Sequence, residues 1–214
     1  MGPAPPAPDP DADLLARAAD GDEPAARELY SRYAGRLKRM VRLRLSRRLQ
    51  GRVGDSDVLQ EAYLDVSRRL PEYAADPRLP FFLWLRHMTG LKLVQIHRRH
   101  LGTQARDADR EISLHRGALP EADSVSLAAQ LLGQLTTPSQ AAVRAELRLL
   151  VQDALAAMDP LDREVLALKH FEQLSTTEIA EVLGLSKAGA GSRYLRAIKR
   201  LREMLSKMPG FEGL

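Results

Sequence analysis

Ser175, Glu178, Gly184 and Ser186 punctuate the segment LSTTEIAEVLGLSKAGAGSRYLRAIKRLREML so closely that two helices joined by a tight turn are the fold it predicts. Ser175 and Glu178 form an S-x-x-E capping box, which satisfies orphan backbone N–H groups reciprocally and fixes a helix start. Ile179, Ala180 and Leu183 then face inward, and the small Ala180 lets a second helix cross closely. Gly184 stands where the helix must end in the left-handed region. Leu185 plugs the turn and Ser186 caps the next helix. In that helix Tyr194, Ile198, Leu201 and Leu205 repeat at helical spacing. Ser192, Arg193, Arg196 and Arg200 lie elsewhere on its surface. An ordinary helical hairpin with a solvated basic face has the same outline. Capping box, glycine turn, small alanine and basic second helix together point to a helix-turn-helix, whose second helix can enter the major groove with arginines reaching guanine edges or phosphates.

The rest of the chain also reads as helix, with no alternating strand pattern. Residues 1–13 hold five prolines and no large apolar side chain, which predicts a disordered tail. Asp22 and Pro24 mark a helix start. Leu29, Tyr30, Tyr33, Leu37, Met40 and Val41 continue its stripe to about Leu49. A second helix starts at Asp55 or Ser56, with Val58, Leu59, Ala62, Val66 and Leu70 inward. Pro71, Pro77 and Pro80 bound an irregular loop. A third helix runs from Phe81 to His100, with Phe81, Trp84, Leu85, Met88 and Leu91 on its core side. Residues 102–138 carry glycines and prolines and weak periodicity; they read mainly as a flexible linker, with room for a short helix near 124–135. Ser139 caps a further helix whose stripe is Val143, Leu147, Leu150, Val151, Leu155 and Met158. Another runs from Leu161 to Phe171. The expected fold is all-α, with a tail (1–13), a helical domain (14–101), a linker (102–138) and a second helical domain (139–208) that ends in the helix-turn-helix.

Composition narrows the chemistry. The 214 residues are 44% hydrophobic and 28% charged, which favours folding over disorder. There is no cysteine, so no disulfide framework, CxxC zinc site or thiol nucleophile. No apolar run is long enough for a membrane span. No signal peptide is visible, and the expected compartment is the cytoplasm. Basic charge is clustered. Arg32 to Arg52 holds nine basic residues and no acid, and Lys187 to Lys207 holds seven against Glu203 alone. Such clusters are the footprint of a polyanion binder or of a solvated helix face. His97 and His100 stand at i, i+3 without a third ligand at metal spacing and are expected to face solvent or phosphate. No Walker, G-x-S-x-G or H-E-x-x-H pattern is present, so neither catalysis nor a cofactor is expected.

The segment from Leu155 to Leu205 resembles region 4 of the sigma-70 family, most closely the extracytoplasmic-function type. Response-regulator output domains look similar, and the N-terminal half decides between them. GDEPAARELYSRYAGRLKRMV looks like the start of that family's region 2. GDSDVLQEAYLDVSRRLPEY is similar to its D-x-x-Q-E-x-[FY] helix, and FFLWLRHMTGLKLVQIHRR to its F-x-x-W-L-x-x-[IM] helix with the basic residues that follow. The resemblance covers about residues 20–207. It implies a detachable initiation subunit of bacterial RNA polymerase that binds the core enzyme, recognises two promoter elements and helps open the DNA.

Three sets of site residues follow from the resemblance. Asp57, Gln60 and Glu61 match positions that contact the polymerase clamp helices. Asp65 joins them because Asp57, Glu61 and Asp65 share one helix face. Where the family captures a melted base of the minus-ten element, Tyr73, Phe82, Arg86, Lys92, Arg98 and Arg99 supply aromatic surface and cations, while Trp84 reads as core. Lys187, Ser192, Arg193, Arg196 and Arg200 match the minus-thirty-five reader. There the chain departs from the family's T-V-[KR]-S-R-x-x-R-A, with Ala190-Gly191 replacing Val and the basic residue. Two glycines at the helix start cost about 1 kcal/mol each relative to alanine. Implied partners are core polymerase and promoter DNA, double-stranded and melted, with an anti-sigma factor as an optional third. The alternatives are a helix-turn-helix regulator that is not a polymerase subunit and a helical adaptor with basic faces.

Overall fold

The computed structural model describes residues 11–46, 48–49, 51–101, 122, 124–135 and 141–207. These residues are all helix and connection: α1 (Ala12–Ala19), α2 (Glu23–Arg44), α3 (Asp55–Ala75), α4 (Phe81–Leu101), α5 (Ser124–Leu135), α6 (Ala141–Ala156), α7 (Pro160–Leu166), a π-helical turn (Ala167–Phe171), α8 (Thr176–Leu183) and α9 (Lys187–Leu205). The starts follow capping chemistry. The Asp22 side chain accepts the Ala25 N–H, with Pro24 in the first turn of α2. Asp159 does the same for α7, accepting from Leu161 and Asp162, with Pro160 in the first turn.

Several expected boundaries move. The chain is already helical at Ala12. Asp11 is buried, accepting from Tyr33 Oη and, at 2.7 Å, from Arg32, so the expected tail is structured from residue 11. Residues 1–10 lie outside the described residues. Helix α2 stops at Arg44 rather than Leu49. Leu45 and Leu49 are buried, and the chain must turn to bury both. The Ser46 N–H, released from the helix, donates to His97 Nε2 at 3.2 Å. That acceptor role requires a neutral ring, and burial lowers the His97 pKa in the same sense. His97 is therefore structural, while His100 is exposed.

Pro71 does not end α3, which runs on to Ala75. Its last turn is held by Tyr73, whose ring is buried against Phe81 and Trp84 and whose hydroxyl donates to the Leu79 carbonyl at 2.8 Å. Within the expected linker, α5 forms and packs on α6; Leu127 and Ala128 are fully buried there with Val151, Leu155 and Phe171. Residues 102–121 and the expected cap Ser139 lie outside the described residues, as does the side chain of Val143.

The two helical sets are docked on each other. One apolar cluster runs from α1–α4 (Leu29, Leu37, Val58, Leu85, Leu93) into Val165, Leu168, Leu174, Ile179 and Leu183 of the second set. Leu43 of α2 joins the other cluster, around α5, α6 and α9. Helix α2 is thus shared by both sets, and its charged face meets the turn that precedes the helix-turn-helix.

Candidate polymerase and nucleic-acid interfaces

The helix-turn-helix forms as its punctuation requires. Ser175 Oγ accepts the Glu178 N–H at 3.2 Å, and Glu178 Oε2 accepts the Ser175 N–H at 2.7 Å. Ile179, Ala180 and Leu183 are buried. Gly184 sits at φ 61°, ψ 40°, and Ser186 Oγ accepts the Gly189 N–H at 3.0 Å to start α9. Helix α9 is continuous from Lys187 despite its glycines. Ala190, in place of the family's valine, is buried. A Cβ at Gly191 would meet Thr176 Cγ2 at 3.8 Å, ordinary van der Waals contact, so that glycine is not forced by space.

Lys187, Ser192, Arg196 and Arg200 are exposed on α9. Ser192, Arg196 and Arg200 follow at i, i+4 and i+8 and share a face. Arg193 does not join them. Its Nη1 lies 2.6 Å from Asp162 and 3.5 Å from Asp159 at the start of α7, so it ties α9 to α7 instead of pointing at a groove.

The acidic stripe on α3 also divides. Asp57 and Gln60 are exposed, and Asp57 also accepts the Gly54 N–H at 2.9 Å. Glu61 and Asp65 are half-buried and turned to α4. Asp65 pairs with Lys92 at 2.7 Å, and Glu61 lies 3.9 Å from Lys92 and 3.7 Å from Arg99. Sequence reasoning missed Leu64, which continues the Asp57–Gln60 face and stays 52% exposed; its signal was a large apolar residue at the polar phase of the helix.

Of the six minus-ten candidates, four turn inward. Tyr73 and Phe82 are buried, Phe82 stacked on Tyr33 with the Arg36 guanidinium 3.5 Å over its other face. Lys92 is buried against Asp65. Arg86 is buried against Glu172 of the second helical set, its Nε 2.7 Å from Oε2. The reason is shared: each side chain has an aromatic or carboxylate partner inside the protein that water and DNA would have to replace. Arg99 is exposed and Arg98 half-exposed. Trp84, expected in the core, is half-buried and stacked on Tyr73 at 4.5 Å. The two rings wall a cavity of about 400 Å³ between the end of α3, the 76–80 loop and α4, whose polar lining is Arg69, Glu72, Asp76, Arg78 and His87. An aromatic wall with cations at its rim suits a flat, anionic-backbone ligand.

The family profile described as "Sigma-70, region 4" matches residues 148–201, which span the helix-turn-helix. The chain belongs to the sigma-70 family. Its C-terminal part is 45% identical over 58 residues to the RNA polymerase sigma-E factor of Streptomyces antibioticus; the match covers 27% of this chain and 32% of that protein, about a third of its length. Two longer matches place it with the extracytoplasmic-function factors. The ECF RNA polymerase sigma factor ShbA of Streptomyces griseus is 28% identical over 196 residues, 89% of this chain and 93% of ShbA. BldN of Streptomyces coelicolor is 22% identical over 90% of this chain and 65% of its own. Among solved structures, CnrH in complex with the cytosolic domain of CnrY superposes with a TM-score of 0.55 at 25% identity, covering 93% of this chain and 99% of CnrH. As a sigma-70 protein the chain carries its region 4 on α6–α9, and no described helix is long and apolar enough to cross a membrane.

Proposed function

We propose that this chain is an initiation subunit of bacterial RNA polymerase, acting in the cytoplasm by binding rather than catalysis. Residues 14–101 form its region 2-like domain and 139–208 its region 4-like domain. The observation that carries the reading is one chain holding two solvent-facing surfaces of opposite charge: Asp57 and Gln60 with Leu64 on α3, and Lys187, Arg196 and Arg200 with Ser192 on α9. An acidic face with an apolar centre suits a basic protein partner, here the polymerase clamp, with Leu64 as the anchor. A basic helix face at a helix-turn-helix suits the major groove of the minus-thirty-five element. Glu61 and Asp65 serve this interface by holding α3 on α4 through Lys92 and Arg99.

The cavity walled by Trp84 and Tyr73 is the place for a base flipped from the melted minus-ten strand, with Arg69 and Arg78 beside its phosphates and Arg98 and Arg99 along its path. The CnrH complex with the cytosolic domain of CnrY supports an anti-sigma partner for this chain too.

The test is copurification with core polymerase, followed by run-off transcription on a genomic fragment library. Asp57→Arg with Gln60→Ala removes the exposed contacts while keeping the Lys92 and Arg99 pairs, and should abolish copurification at unchanged helicity. Sequence-specific DNA binding without core binding would instead make the protein a regulator that is not a polymerase subunit.

A further inference from the structure

The largest group of buried charges in the described residues lies between the two domains. Glu172, at the end of the π-helical turn, accepts Arg44 Nη2 at 2.6 Å and Nε at 2.9 Å through Oε1, and Arg86 Nε at 2.7 Å through Oε2. Glu164 of α7 closes the group through Arg44. Arg44 and Glu172 side chains are each 1% exposed. The wider turn aims this carboxylate: the Glu172 N–H bonds the Ala167 carbonyl five residues back, and the Leu174 N–H bonds Leu168 six back. Beside it, Gln173 is held at φ 57°, a left-handed conformation disfavoured for a side-chain-bearing residue. Two arginines of α2 brace it: Arg39 donates to its side-chain oxygen at 2.9 Å and Arg36 to its carbonyl at 3.5 Å. Arg36 also pairs with Glu178 at 2.9 Å while covering Phe82. Three carboxylates of the second domain thus occupy three arginines of the first.

We propose that Glu172 and Glu164 are a latch that closes the region 4 domain onto the region 2 domain through Arg44 and Arg86, leaving the free chain autoinhibited until a nucleic-acid strand displaces them. Two arguments carry this beyond a structural ion pair. The first is reach, and it rests on the proposed function. Elements named minus-ten and minus-thirty-five lie about 25 base pairs apart, roughly 85 Å of duplex at ~3.4 Å per pair. A compact chain of 214 residues has a radius of gyration of about 17 Å and spans roughly 45 Å. The closed form cannot touch both elements at once. The second is chemical. Guanidinium forks bind carboxylate and phosphate in the same bidentate geometry, so the strand's phosphates compete for the arginines that Glu172 and Glu164 hold. Two guanidinium and two carboxylate charges cancel inside the cluster, and on opening water repays the desolvation of each. Such a contact specifies the closed arrangement without making it costly to leave.

The chain has no native cysteine, so dyes placed by Arg68→Cys and Lys207→Cys report the interdomain distance without background labelling. In the full-length labelled protein, energy transfer should be high and should fall when a mixed-sequence 12-nucleotide single strand is added. Glu164→Gln with Glu172→Gln should start in the low-transfer state and bind that strand about tenfold more tightly, the factor expected if nine-tenths of the free chain is closed. Unchanged transfer in that variant, or on adding the strand to the parent, overturns the latch. Should the variant lose helicity, Arg39→Cys with Gln173→Cys joined by a reducible cross-linker takes its place. Cross-linking should lower strand affinity at least tenfold and a reductant should restore it; full affinity with the link intact overturns the proposal. The energy-transfer arm needs no polymerase. A variant that opens yet supports no transcription counts against the proposed function and not against the latch.

Discussion

The two basic clusters of this chain look alike in sequence and end in opposite places. On α9, Lys187, Arg196 and Arg200 face solvent. On α2, Arg36, Arg39 and Arg44 turn inward to Glu178, Gln173 and Glu172. The difference lies in what faces each helix. Helix α9 buries Ala190, Ala197 and Leu201 against its neighbours and leaves its cations outside that stripe. Helix α2 is buried on both sides, so its arginines meet the acids of another domain. A run of basic residues therefore marks a need for anions, and only the fold shows whether those anions belong to a partner or to the chain itself.

The largest effect that tests this contrast is in the buried cluster. Arg44→Ala should cost about 3–5 kcal/mol in denaturant unfolding, because it strands Glu172 and Glu164 in a dry site. A cost below about 1 kcal/mol would mean that the cluster is wet. Next comes the exposed face: Arg196→Ala should weaken duplex binding by about 1–3 kcal/mol on the preferred sequence if it reads a guanine, or lower the salt slope by about one if it touches phosphate. Neither change would remove α9 from the DNA interface.

Arg193 should behave as a structural residue. A double-mutant cycle between Arg193→Ala and Asp162→Ala should give a coupling of about 0.5–1 kcal/mol in stability, with DNA affinity nearly unchanged. The smallest effect separates the two glycines of α9. Gly191→Ala has room for its Cβ and should stabilise the helix by up to about 1 kcal/mol. At Gly189 the Cβ would sit 3.0 Å from the Ser186 Oγ that caps the helix, so the same change should gain nothing or destabilise. Equal melting shifts for the two would contradict the cap geometry.

The pH dependence has a definite sign. Burial alone would raise the Glu172 pKa, but Arg44 and Arg86 outweigh it and bring the group down to about 2. A depressed carboxylate stabilises the folded form above its ordinary pKa near 4.5 and loses that contribution as pH falls towards 2. The interdomain contact should therefore hold at neutral pH and loosen through this acid window. Interdomain energy transfer measured from pH 6 to pH 3 follows it; loosening already near pH 6 would point to a histidine instead.

Local punctuation made the helix-turn-helix legible. Ser175, Glu178, Gly184 and Ser186 act within a few residues of themselves, and nothing tertiary overrides them. The capped starts of α2 and α3 and the span of α4 were legible for the same reason. What could not be read was anything decided across the chain. Arg86 looks like a DNA contact until Glu172, far along the sequence, arrives beside it. Arg193 stays with the recognition residues until Asp162 takes it. Tyr73 and Phe82 fit a stacking platform by residue type, yet Trp84, which packs over Tyr73, faces the cavity. Pro71 suggests a stop that the buried Tyr73 overrides. The apolar spacing that marks a core also hid Leu64, whose exposure depends on no other helix covering α3 there.

The central claim, that one chain joins core polymerase to a promoter, is tested most directly by run-off transcription with purified core polymerase, the full-length protein and a genomic fragment library. The account predicts transcripts with defined start sites downstream of a shared two-part sequence, lost with Lys187→Ala, Arg196→Ala and Arg200→Ala combined and lost separately with Asp57→Arg plus Gln60→Ala. No specific transcript from the parent protein, together with no retention of the chain on core polymerase, would contradict it.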